Sequence, residues 1–277
     1  MRRLLGPLRR HIANGRFPAR ALRAAAIGLT ASLATVPLAD ARPLGVIQNR
    51  GVLSLCAHAN ALPFSSRKLD PPGFQIELGR ALAGALGVTL VVEWVTTGFQ
   101  FRAADCDIIL DTIAVPEAQE ERNLQLSRPY QRSGVGIALR PGTNGIAGFA
   151  DLTDRRVAVQ SGSLAAMLLG QRGARTVPYG FEEEMVAAVA KGDVDAAAVS
   201  PATVGYFNLL HREAPLVMLH SYDAEPELSW NLTVGLRRSD SALRQAVDRA
   251  IERLMSDGTV STIYSHYGIA HRPPTTP

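Results

Sequence analysis

Short apolar runs alternate along the chain with stretches in which apolar residues return every three or four positions. VLSLCA (52–57) is a nearly unbroken apolar run of strand length. From Phe74, apolar residues recur at Leu78, Ala81, Leu82, Ala85 and Leu86, one face of a helix that Gly87 ends. TLVVEWV (89–95) and CDIILDT (106–112) read as two more strands. Strand, helix, strand, short helix, strand predicts a parallel α/β arrangement. The pattern then returns with new content. RVAVQ (156–160) is a strand, SGS (161–163) a turn and LAAMLLGQRG (164–173) a short helix. FEEEMVAAVAKG (181–192) is a helix with acids in its first turn and a glycine stop, followed by the strand DAAAVS (195–200). WNLTVGLR (230–237) is strand-like and precedes a last helix whose face carries Leu243, Val247, Ala250, Ile251 and Leu254. The expectation is an α/β protein made of two small α/β units.

The first 41 residues change the reading of charge. Residues 1–23 hold seven arginines and no acid, residues 24–39 are mostly apolar, and Ala39-Asp40-Ala41 has the A-x-A form of a cleavage site. The apolar run is short for a membrane span, and the arginine pairs lack the setting of a twin-arginine signal. A signal peptide over 1–41, cleaved after Ala41 on export to the periplasm, is expected. The chain has 29 basic and 25 acidic residues, seven and one of them in this leader, so the remainder has 22 against 24. The basic pI belongs to the leader, and no basic stripe with interleaved aromatics is left for nucleic acid.

Candidate chemistry begins at LCAHANALPF (55–64). Cys56 and His58 lack the further ligands of a metal site. QSGSL (160–164) lacks the Gly-x-Ser-x-Gly elbow of a hydrolase. No catalytic set, metal or cofactor is expected. Glu182, Glu183 and Glu184 read as helix-dipole partners, and His211, His220, His266 and His271 as surface or structural residues.

Eight segments, in order, carry a resemblance: GVLSLCAHANALPFS, PGFQIELGRALAGALGV, CDIILDTIA, SRPYQRSGVGIAL, FADLTDRRVAVQSGS, VAAVAKGDVDAAAVS, TVGLRRSDSALRQAVDRAIERL and DGTVSTIYSHYGI. Together they resemble the bacterial extracellular solute-binding proteins of family 3, over about residues 46–268. The Cys-Ala opening, LPFS, the Cys-Asp pair at 106–107, RPYQRSG and GYF (205–207) are similar to a subgroup associated with periplasmic quinoprotein alcohol dehydrogenases. The loop from Asp107 to Pro129 is nearer in length to that of amino-acid binders.

The resemblance implies a two-lobed periplasmic binding protein-like II fold with a two-strand hinge. Lobe 1 would span 46–134 and 234–268, lobe 2 135–233, and the crossings would fall near Ser133–Ala138 and Trp230–Gly235. Residues 269–277 are expected to be a disordered tail. A ligand would sit where the carboxyl ends of parallel strands face each other. That implies a site from Asn60, Phe64, Asp111 and Thr112 on one side and Ser161, Ser163 and Ser200 on the other. Phe64 would stack on the ligand or be a core residue of lobe 1. Ser161–Ser163 would offer free N–H groups and a hydroxyl at a helix start, or be a plain cap. Relatives place a carboxylate-clamping arginine at a position that falls near Gln119 here; Arg122, the nearest arginine, would either reach it after a small loop shift or be a solvated helix residue. Relatives usually place an aspartate, paired to a ligand ammonium, where this chain has Ser200. A free α-amino acid would then leave its ammonium poorly matched, which implies another kind of ligand.

For Cys56 and Cys106 an oxidising compartment favours a disulfide. Neighbouring parallel strands in the family fold, with one cysteine at an exit and the other at an entry, argue against it. A four-residue offset is roughly 13 Å, beyond the roughly 7 Å Cα limit, and both readings stay open. The function implied is a solute-binding protein that closes over a small polar solute and delivers it to an inner-membrane ABC permease, with no reaction. The alternative is an accessory protein of a quinoprotein (PQQ) dehydrogenase. A few periplasmic dehydratases also resemble this fold, but no residue here argues for their chemistry.

Overall fold

The computed structural model describes residues 42–96, 100, 104–115, 124–237 and 239–275. The expected signal peptide lies outside them. No helix among the described residues is long and apolar enough to cross a membrane.

Two sheets organise the chain. The first has the order β4–β1–β5–β13–β6, with β7 also paired to β13. Its parallel part is β1 (Val52–His58), β4 (Thr89–Val95) and β5 (Ile108–Ile113). The long return strand β13 (Ser229–Arg237) runs antiparallel to β5, to β6 (Leu124–Leu126) and to β7 (Gln131–Gly134). β1 is buried along most of its length, which explains its unbroken apolar run. Helix α1 (Leu44–Arg50) buries Ile47 in this core. Helix α2 (Phe74–Ala85) packs on the core through Phe74, Ile76, Leu78 and Leu82.

The second sheet has the order β10–β9–β11–β8–β12. β9 (Arg156–Gln160), β10 (Arg175–Tyr179) and β11 (Ala196–Val199) are parallel. β8 (Gly136–Leu139) is antiparallel to β11 and to β12 (Val217–Leu219). One face packs on α3 (Leu164–Gln171), the other on α4 (Glu182–Lys191) and α5 (Pro201–Leu210). The small residues of β11, Ala196–Ala198, are fully covered on both faces. The chain then closes on the first core with α6 (Ser241–Ser256), N-capped by Asp240 (Leu243 N–H to Oδ1, 2.7 Å), and α7 (Thr259–His266).

The sheets therefore form two lobes, the first discontinuous in sequence. The chain enters the second at Val135, between β7 and β8, within the expected crossing. It returns between Leu219 and Ser229, earlier than expected at 230–235, because all of β13 is paired in the first sheet. Within the expected disordered tail, Ile269 is buried and His271, Arg272 and Thr275 are hydrogen-bonded to Tyr130, Gln131 and Asn231, while 276–277 lie outside the described residues.

Cys56 and Cys106 form a disulfide with Cα atoms 5.4 Å apart. The 13 Å objection assumed that β5 starts level with the beginning of β1 and is extended from Cys106. In fact Leu55 pairs with Ile108, and the chain before it bends so that Asp107 N–H reaches the Ser54 carbonyl (2.9 Å). Beside the disulfide, Asp107 is a buried carboxylate with both oxygens hydrogen-bonded. It accepts from Arg42 Nη1 (2.9 Å), Arg50 Nη2 (2.6 Å), Ser54 N–H (2.8 Å) and the Ser54 hydroxyl (2.8 Å).

Candidate functional site

The ends of β1, β9 and β10 open on one cleft of about 340 Å³, toward the lower end of the roughly 300–1,000 Å³ usual for small-molecule sites. His58, Asn60 and Phe64 line it from the first lobe. Gln160, Phe181, Glu182, Glu183 and Thr203 line it from the second.

On the first wall, Asn60 belongs to a small hairpin in which Asn60–Ala61 pairs with Ser65–Ser66. Phe64 is partly buried, its ring centroid 5.2 Å from that of Phe74, so it packs on the core and also lines the cleft. Its backbone is pinned by Ala61 O (2.8 Å) and by Gln75 N–H (2.9 Å). Gly73 lies against the Phe64 carbonyl, where a Cβ would stand 2.5 Å from the oxygen, and has φ +96°. Only glycine suits that place.

On the second wall, Glu182 opens α4 and its carboxylate bridges to the end of β11. Oε1 accepts the Ser200 N–H (3.0 Å), and Oε2 accepts the hydroxyls of Ser200 (2.5 Å) and Thr203 (2.5 Å). A carboxylate has about four acceptor sites, so capacity remains for a ligand. Phe181 beside it is 57% exposed. Glu184 is occupied locally, accepting from Phe181 N–H at 3.3 Å. Among the described residues that line the cleft, the charged side chains are carboxylates and none is lysine or arginine.

Of the residues expected at the site, Asn60 and Phe64 are brought together here. Ser200 stands behind Glu182 and N-caps α5, accepting from Thr203 N–H at 3.4 Å. Ser161 donates to Tyr179 O (2.9 Å) and Ser163 caps α3, accepting from Ala166 N–H at 3.1 Å. Each hydroxyl thus makes one bond within its own lobe. Arg122 and Gln119 lie outside the described residues. Asp111 and Thr112 do not line the cleft. Thr112 is buried, its hydroxyl donating to Ile109 O (3.3 Å). Asp111 has φ +54°, opposite an irregularity in β13. Its carboxylate accepts from Tyr130 Oη (2.7 Å) and Gln75 Nε2 (2.7 Å), and its N–H donates to the same Tyr130 oxygen (2.7 Å). The residues missed were Gln160, Phe181, Glu182, Glu183 and Thr203. Gln160 was legible as the last residue of a parallel strand. Glu182 was not, because its partner Ser200 is 18 residues away. His58 is part of the wall. Among the described residues no group of three or more His, Cys, Asp or Glu is placed to hold a metal.

Burial raises the Asp111 carboxyl above its usual range, against the pull of its two hydrogen bonds. A carboxyl whose folded pKa exceeds the unfolded one binds its proton more tightly when folded. Stability is therefore lost as pH climbs from about 4 through the raised value. Asp111→Asn keeps the Tyr130 bond and tolerates the left-handed backbone. It is expected to melt above the wild type at neutral pH and to lose that part of the slope. Melting temperature against pH checks this; an unchanged slope would mean that Asp111 is not its source.

A cleft between two α/β lobes, floored by the ends of their parallel strands, is the arrangement of a two-lobed binding protein fold. The chain belongs to the bacterial extracellular solute-binding proteins, family 3, whose model matches residues 53–270. It is 23% identical over 246 residues to the L-cystine-binding protein TcyJ of Escherichia coli (strain K12), covering 86% of this chain and 90% of the relative. It is 25% identical over 238 residues to a membrane-bound lytic murein transglycosylase F of Desulfosudis oleivorans. That match covers 80% of this chain but 49% of the relative, so the chain spans about half of that protein's length. Among solved structures it is similar to an ancestral cationic amino acid solute-binding protein. The TM-score is 0.67 at 26% identity, with 81% of this chain and 99% of the other covered.

Proposed function

We propose that the protein is a periplasmic binding protein that closes over a small polar solute bearing a positive charge, such as an ammonium, and delivers it to an inner-membrane ABC permease. The observation that carries the charge is Glu182, held by Ser200 and Thr203 on the cleft wall. The serine at position 200, where relatives have an aspartate, weighs against an ammonium, and Glu182 weighs on the other side. A carboxylate does stand at the end of β11, supplied by the first residue of α4. Phe64 and Phe181 supply apolar surface on opposite lobes, and Asn60 and Gln160 add hydrogen bonds. Ligand then favours closure because only the closed form offers both walls at once. Delivery, periplasmic location after cleavage at Ala41 and the absence of a reaction belong to the same reading. The likeness of the whole fold to an ancestral cationic amino acid binder supports it.

The test is calorimetry of the protein lacking residues 1–41 against cationic, zwitterionic and anionic amino acids and simple amines. A cationic or zwitterionic ligand is expected to bind. Glu182→Gln is expected to weaken it by about 1.5–3 kcal/mol, the worth of a hydrogen bond to a charged group. Preferential binding of anions, or unchanged affinity in Glu182→Gln, would overturn the assignment of charge. Binding to a quinoprotein dehydrogenase with no small-molecule ligand at all would replace transport with the accessory role.

A further inference from the structure

The hinge is crossed by a third segment. β7 and β13 pair from Gln131–Leu232 to Gly134–Ser229 and connect the lobes. After α7 the chain turns at Gly268 and buries Ile269 in the first core, then passes over that pair. His271 Nε2 lies 2.8 Å from Tyr130 O, at the first-lobe end of β7. Arg272 N–H donates to Gln131 Oε1 (3.0 Å), and its carbonyl accepts from Arg132 N–H (2.9 Å). Thr275 is tied to Asn231 of β13 through N–H to Oδ1 (3.1 Å) and Nδ2–H to O (2.9 Å). Residues 271–275 thus touch both hinge strands.

The Arg272 side chain reaches the second lobe. Its Nη2 donates to Asp223 Oδ2 (2.8 Å), its Nη1 to Asp223 Oδ1 (3.3 Å) and Tyr222 Oη (2.8 Å), and it stacks 5.4 Å from the Tyr222 ring. Tyr222 is a fixed point. It is fully buried in the second core, and a Cβ on Gly134 would fall 2.6 Å from its ring. Asp223 also accepts from Arg132 Nε (3.1 Å). One backbone stretch is therefore bonded to the first lobe at Tyr130, to both hinge strands and to the second lobe at Tyr222 and Asp223. Rotation of one lobe about β7 and β13 must strain or break the last of these. Exposed single ion pairs contribute little, but a two-pronged, stacked guanidinium has a fixed geometry that resists displacement.

We infer that residues 271–275 form a clasp across the hinge, fastened by Arg272 on Tyr222 and Asp223, that limits lobe opening and holds the ligand-free protein near the arrangement described here. A population already close to the binding-competent form binds more tightly, because less of the ligand's differential affinity is spent on closing the lobes.

The test needs no ligand. Arg80 on α2 and Lys191 on α4, both exposed, are replaced by cysteine and spin-labelled, and the distance between lobes is measured in the ligand-free protein. Wild type is expected to give a narrow distribution. Arg272→Ala, and a chain ending at Ala270, are expected to shift it to longer distances and broaden it. Asp223→Ala combined with Arg272→Ala should add little to either alone. Circular dichroism confirms folding, and Arg272→Ala alone decides the matter if the shortened chain does not fold. Unchanged or shorter distances in Arg272→Ala would overturn the clasp. Because the readout is ligand-free, failure here leaves the charge assignment at Glu182 untouched, and failure there leaves the clasp.

Discussion

Replacing Asp107 by alanine is expected to cost about 3–5 kcal/mol, the loss typical when one partner of a buried ion pair is removed. Asp107 has no exposed surface, and its two oxygens gather two guanidinium groups, a backbone N–H and a hydroxyl. Without it, the Ser54 N–H is left without that acceptor inside the sheet. The Arg42 side chain, only 14% exposed, keeps Asp105 but loses its buried partner. The neighbouring disulfide limits the damage to the chain's path, since Cys106 remains joined to Cys56. Denaturant unfolding of Asp107→Ala and Asp107→Asn checks this. The asparagine should lie between wild type and alanine, because its carbonyl can still accept one or two of the four bonds. A loss below about 1 kcal/mol in the alanine variant would show that burial had already cancelled the value of the pair.

Gly205→Ala is also expected to destabilise the protein, by less and through shape rather than charge. On α5, Gly205 meets Gly268 so closely that a Cβ would lie 2.5 Å from the Gly268 carbonyl oxygen, with the reverse also true. Neither contact is with a flexible side chain, so backbone must move. The movement falls on the seam between lobes. Val204 packs in the second core, whereas Ala202 and Tyr206 pack on the first, with Tyr206 6.1 Å from Tyr267. Overpacking of this kind costs about 1–3 kcal/mol. Part of it is expected to appear as weaker ligand binding, because Thr203, on the same helix, holds Glu182. Melting temperature and calorimetric affinity measured together would show both losses. Wild-type values for both would mean that the seam yields without disturbing the cleft.

Much of this architecture could be read from apolar spacing. α2 and the parallel strands β1, β4 and β9 fall where their periodicity puts them, because each buries one stripe or both faces in a single core. α5 (PATVGYFNLL) carries no helical periodicity in the sequence, since it divides its apolar residues between two lobes and shows no single face. α7 (TVSTIYSH) is rich in β-branched and hydroxyl residues, so its propensity argues against the helix that packing enforces. At the candidate site, the strand-end rule points to Asn60 and Phe64, which line the cleft, since that rule depends only on topology. Glu182 escaped because an acid in a first helical turn already has a local explanation, and its bonds to Ser200 and Thr203 exist only after the sheet has formed. The tail escaped for a similar reason: HRPPTT is polar and proline-rich, and its partners, Tyr130, Tyr222, Asp223 and Asn231, all come from elsewhere in the chain.

The insertion of β13 between β5 and β6 sets an order of assembly. The second lobe draws all five of its strands from residues 136–219, so it can complete its sheet as soon as that stretch is available. The first lobe cannot. β1, β4 and β5 lie early in the chain, but β5 has its β13 partner only once residues 229–237 arrive, and α6 and α7 of the same core lie later still. A chain delivered N-terminus first therefore holds a half-built lobe while a complete one forms beyond it. The β5 edge, with its exposed last residue Ile113 and nearby Val115, is then the surface open to mispairing.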